Sequence, residues 1–114
     1  MESTHEQIKK LWGECGASVI PLIPSSHLNS TFKVLLSDKR ALFVDILAQT
    51  IDLNNLFKYA VPKVLQHMIT IIFENMSLTQ ARLALFRAWN KNIEKGMSYE
   101  DALFQVIYRL MEVK

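Results

Sequence analysis

The side chains in this sequence best suited to shuttle a proton, hold a metal or attack an electrophile are three histidines, His5, His27 and His67, and one cysteine, Cys15. No histidine has a second His, Cys or carboxylate at a recognised ligand spacing, and His5 and Glu6 are neighbours that a helix points to different faces. His67 stands between Gln66 and Met68 and could approach a core pocket, in the extreme case as the single proximal ligand of a haem iron with Phe57, Met68 and Phe73 around it. Ordinary helical cores use the same side chains, so a structural histidine is the expectation. Cys15 lies on an apolar stripe with Leu11, Trp12 and Val19, which predicts a buried, inert thiol rather than a nucleophile.

Two further groupings could do acid–base work. Glu100 and Asp101 are adjacent carboxylates, but both fall in the first turn of an expected helix, where they complement its dipole. Residues 25–31, Ser-Ser-His-Leu-Asn-Ser-Thr, gather polar side chains as an active-site loop would, and ordinary turn chemistry accounts for them. The sequence has no G-x-S-x-G, no Gly-rich phosphate loop, no H-E-x-x-H and no Ca²⁺ loop. These readings predict no catalytic residue, no metal and no cofactor, and hence a chain that is not an enzyme.

A basic line, Arg87, Lys91 and Lys95, runs at four-residue steps with Trp89 and Asn90 between its members and Glu94 partly neutralising it. Together with the Gly-containing turn and the helix that follows, it has the outline of a helix-turn-helix. The second helix of such a module must offer donors to base edges, whereas here it begins Tyr99-Glu100-Asp101 and continues with Leu, Phe, Val, Ile and Met. Nucleic-acid binding through this basic face therefore ranks third among the expected functions.

The elements that must carry these residues read as helices almost throughout. Ser3 with Glu6 and Thr4 with Gln7 have capping-box spacing and open a helix over about 4–20, weakened by Gly13 and Gly16 and stopped by Pro21. Residues 21–31 form the loop, and Phe32 to Leu36 fits a short strand or a helical turn. A helix over about 38–51 would turn Leu42, Phe43, Ile46 and Leu47 inward and Asp38, Asp45 and Gln49 outward. Another, over 53–75 and capped by Asp52, is kinked or restarted at Pro62. Met68 to Phe73 is apolar except at Thr70 and should be the most central segment. Ser77 with Gln80 opens a helix over 78–95 that Gly96 ends, and Ser98 caps the last, over 98–112. The expected fold is all-α: one domain over 1–114, a bundle of about five helices whose last two form a hairpin.

Composition bounds what such a bundle does. The chain has 114 residues, 50% of them hydrophobic, with 3 Gly, 3 Pro and 1 Cys, which excludes a disordered tail, a low-complexity chain and a disulfide scaffold. The net charge of +2 is too small to imply nucleic acid by itself. The first six residues are polar, so no secretory leader is expected, and the longest apolar runs fall far below the roughly 20 residues of a membrane span. A cytoplasmic location follows as the default.

The apolar arc of the last helix is wider than a peripheral helix needs, so this helix is either central or meets another chain. The leading expectation is a non-enzymatic protein–protein interaction module, an adaptor, chaperone or regulatory subunit, binding a partner or a second copy as a homodimer. Its expected anchors are Phe86, Trp89, Phe104, Tyr108 and Met111, because aromatics and Met dominate desolvated contacts. The alternative is a carrier or sensor with a small-molecule ligand in an internal pocket near Phe57, His67 and Met68. The caps, stripes and turns are generic to helical proteins and point to no family.

Overall fold

A computed structural model describes residues 4–22, 31–73 and 75–113. The expected first helix, α1 (His5–Glu14), starts where the sequence places it: Thr4 Oγ1 accepts from the Gln7 amide at 3.3 Å and Gln7 Oε1 accepts from the Thr4 amide at 3.2 Å. The alternative cap, Ser3, lies outside the described residues, as do His27 and most of the 21–31 loop. The helix does not continue to residue 20. Cys15 closes it, and Gly16 at φ +80° reverses the chain in a conformation that glycine adopts without a Cβ penalty. Nothing lies within 4 Å of where a Cβ would stand at Gly13, so no close helix contact requires that glycine. Gly13→Ala is accordingly expected to raise the unfolding free energy by about 0.4–1 kcal/mol in urea titrations, mostly through the unfolded chain.

The stretch beyond Gly16 overturns the all-α expectation. Three strands, β1 (Ser18–Pro21), β2 (Phe32–Leu35) and β3 (Ala41–Val44), form an antiparallel sheet in the order β1-β2-β3. Pro21 ends edge strand β1 instead of stopping a helix; at an edge, a missing N–H costs little. The ambiguous residues 32–35 are the central strand, with Val34 directly between Val19 and Leu42. The helix expected over 38–51 is instead a turn with Lys39 at φ +70°, then β3, then a 3₁₀ turn at Leu47–Thr50. Strand alternation, not helical period, therefore decides burial. Leu42 packs inward, while Phe43 and Ile46, expected inside, are 53% and 59% exposed. On the outer face the Lys33 ammonium lies 6.0 Å from the ring of its cross-strand partner Phe43.

Three helices follow: α2 (residues 53–72), α3 (Leu78–Glu94) and α4 (Tyr99–Glu112). In α2 the Asp52 carboxylate caps the Asn55 amide at 2.7 Å. The helix passes through Pro62 without ending. Just before it, residues Leu56–Ala60 make a widened π-helical turn in which the Val61 amide bonds back to the Leu56 carbonyl. Such a turn re-registers the ladder where Pro would otherwise leave a carbonyl unmatched. A second π-helical turn, Met68–Ile72, ends α2 ahead of residue 75. In α3, Ser77 and Gln80 complete a reciprocal capping box, and Gly96 at φ +94° ends the helix. Ser98 then caps α4.

The core is assembled around α4, where Ala102 to Ile107 are six consecutive buried residues. This is the central option that its wide apolar arc allowed. Met68 to Phe73 is not central: Met68 is buried, but Ile71 is 54% and Phe73 39% exposed. The buried polar side chains act as pins between elements. Trp12 Nε1 donates to Thr50 Oγ1 at 2.8 Å, Asn92 Nδ2 to the Ala102 carbonyl at 3.1 Å, and Gln105 Nε2 to Gln7 Oε1 at 3.0 Å. The last two join α3 and α1 to α4. No helix of the described residues is long and apolar enough to cross a membrane.

Candidate interaction surface

Of the residues first suspected of chemistry, His27 lies outside the described residues, and His5, His67 and Cys15 have structural surroundings. His5 is exposed, its ring centroid 5.3 Å from that of Phe32, and His67 Nε2 meets the Val113 carbonyl, tying α2 to the end of α4. Cys15 is buried, and burial pushes its thiol up to about 11. Its unfolded-state thiol ionises near 9.0, so the unfolded chain gains charge first as pH rises. The stability tied to the neutral thiol is present below pH 9 and falls by roughly 2–3 kcal/mol on passing to about pH 11. The difference between wild type and Cys15→Ala in alkaline urea titrations isolates that loss. Among the described residues no group of three or more His, Cys, Asp or Glu side chains converges as a metal site.

The expected anchors separate into two places. Phe104 is fully buried, its ring stacked on Tyr108 at 6.0 Å, and it offers no surface. Tyr108 and Met111 border α1 with Lys10, Leu11, Glu14 and Glu112. Hydrogen bonds from Tyr108 and Lys10 hold the Glu112 carboxyl below its usual range, so this corner is already engaged within the chain. Phe86 and Trp89 stand together on α3 at 6.1 Å between ring centroids, with Phe57 of α2 edge-on to Trp89 at 5.7 Å. Trp89 Nε1 donates to the Tyr99 carbonyl at 2.9 Å, which fixes the indole across the α3–α4 turn.

Around these residues α3 presents three outward features. Leu78, Leu83 and Phe86 are 44%, 51% and 39% exposed. On one flank, Leu78, Arg82 and Phe86 face Phe57, Val61, Pro62 and Leu65 of α2 across an open, mainly apolar groove of about 400 Å³. On the other flank a groove of about 360 Å³ runs between α3 and α4. Its floor and walls are Met68, Phe73, Ala84, Ala88, Val106 and Leu110, and its rim carries Lys91, Lys95 and Arg109. Arg87, the third member of the expected basic line, borders an adjoining hollow with Phe73, Met76, Leu83 and Ala84.

No ion pair among the described residues holds the cations of this rim. Among the described residues the two ion pairs are Lys10–Glu112 at 3.3 Å and Lys58–Asp38 at 3.5 Å, and neither involves Arg87, Lys91, Lys95 or Arg109. The sequence reading missed Arg109 and Phe73 as site residues. The expected hairpin held only a general signal for Arg109, since two helices joined by a short turn bring the far part of α4 back beside α3. For Phe73 no comparable local signal exists. Of the residues around which an internal pocket was expected, Met68 borders one of these grooves and Phe57 the other, while His67 lines neither. Compared with family models, with curated proteins and with solved structures, the chain matches none.

Proposed function

We propose that this chain is a non-catalytic protein–protein interaction module, an adaptor, chaperone or regulatory subunit, that binds through the outward side and flanks of α3. The observation that carries this reading is the concentration of unpartnered apolar surface there: Leu78, Leu83 and Phe86 on the helix, with an open apolar groove on either side. Large side chains left in water beside a concave apolar surface are what a partner desolvates on binding. The rigid support is in place, because Asn92 and Trp89 pin α3 to the helix that forms the centre of the core.

Sedimentation velocity and quantitative co-purification from the native cells test the reading with Leu83→Glu/Phe86→Glu against Tyr108→Ala and Met111→Glu. Self-association or partner retention is expected to be lost in the α3 variant and kept in the other two. A strictly monomeric chain whose retained partners are unchanged by the α3 variant contradicts it.

A further inference from the structure

Resting on that reading of α3, we infer that the groove between α3 and α4 receives an acidic amphipathic helix of a partner protein. Shape and charge match such a guest. Ala84 and Ala88 keep the α3 wall low, Phe73 closes the end, and Val106 and Leu110 line the opposite wall, so the depression is mainly apolar; its one neutral polar side chain, Asn92, donates through Nδ2 to the Ala102 carbonyl. A helix entering it would bury apolar side chains recurring at three- and four-residue steps. Lys91 and Lys95 stand one turn apart, about 6 Å along the axis, with Arg109 on the facing helix. Carboxylates at four-residue steps on the edges of the guest helix repeat at the same distance. None of these three cations has an ion-pair partner among the described residues, so the guest's carboxylates meet charges that no internal contact must release. A nucleic acid would use the cations but leave the apolar floor without a counterpart; a purely apolar segment would leave the rim unmatched.

The test is fluorescence anisotropy of the full chain with a labelled synthetic peptide of about five helical turns, carrying Leu along one face and Glu along both edges of that face. Saturable binding is expected, weakened roughly tenfold or more by Lys91→Glu/Lys95→Glu and regained when the peptide's Glu are replaced by Lys. Ala88→Trp should abolish binding by filling the groove without changing charge, while Lys63→Glu, exposed on α2, should leave it intact. Circular dichroism establishes that each variant is folded; the two surface lysines keep the test decisive if Ala88→Trp is not. Absence of saturable binding overturns the inference. Equal binding of a peptide with its Leu replaced by Ser, displacement of the peptide by a single-stranded oligonucleotide at lower concentration, or full displacement by a medium-chain carboxylate does so too, by assigning the groove to a bare polyanion, a nucleic acid or a small ligand. If the peptide fails while Leu83→Glu/Phe86→Glu still abolishes association, the occupant is wrong and the reading of α3 stands.

Discussion

Trp12→Ala is expected to lower the unfolding free energy by about 3–5 kcal/mol, measured by urea or thermal unfolding. Trp12 is fully buried in the cluster that includes Ile8 and Leu11 of α1 and Val34 of the sheet, so truncation leaves a large void in the core. It also breaks a polar chain. The indole N–H donates to Thr50 Oγ1, the Thr50 hydroxyl donates to the Leu47 carbonyl at 2.6 Å, and Asn55 Nδ2 donates to the Thr50 carbonyl at 3.0 Å. One indole thus links α1 to the 3₁₀ turn and, through Thr50, to the start of α2. Thr50→Val isolates the polar part: it leaves the indole N–H buried and unpaired, for a loss of about 1–3 kcal/mol. Because both substitutions break the same bond, the double variant should lose less than their sum.

Val34→Asp is expected to prevent folding at neutral pH. Val34 is fully buried on the central strand between Val19 and Leu42. An unpaired carboxylate there carries a penalty of several kcal/mol, comparable to the ~5–15 kcal/mol that holds a whole domain together. Its neighbour supplies the contrast. Lys33 faces the outer side of the sheet against Phe43, so Lys33→Asp should lose only about 0.5–1 kcal/mol with the cation–π contact. Circular dichroism and urea titrations of the two variants compare adjacent residues of opposite facing. Equal tolerance of both would contradict the strand.

That pair of residues also shows where the sequence was readable and where it was not. Helix termini are local chemistry, and the capping boxes at Thr4 and Ser77, the cap at Ser98 and the left-handed Gly96 all stand where their spacing puts them. The wide apolar arc of the last helix allowed either a central position or an interface; anchors were expected on it at Phe104, Tyr108 and Met111, whereas the run from Ala102 to Ile107, Phe104 included, is buried in the core. The sheet was not legible because its strands have four residues each, too few for a period of two to be told from one helical turn. What makes Ala41–Val44 a strand is its pairing with Phe32–Leu35, and what makes that a strand is pairing on both sides. Such information is spread over the chain rather than held in a window.

The same limit applied to the surface. Met68 to Phe73 is apolar except at Thr70, a pattern that does not say which of its side chains the core takes; Met68 is buried, while Ile71 and Phe73 are left to solvent and Phe73 becomes one end of a groove. The basic line was legible as Arg87, Lys91 and Lys95. Its division, with Lys91 and Lys95 joining Arg109 over an apolar floor and Arg87 turned to the next hollow, required the packing of α4 on α3.

Docking on the basic-rimmed groove along α3 has a direct spectroscopic readout. Amide ¹H–¹⁵N chemical shifts of the full chain, followed while the acidic amphipathic peptide is added, test it residue by residue. The perturbed amides are expected to cluster at residues 84–95, 106–110 and 68–73, leaving α1 and the outer face of the sheet unchanged. Perturbations centred on Lys10 and Tyr108, or scattered over the surface without a focus on α3, would contradict it.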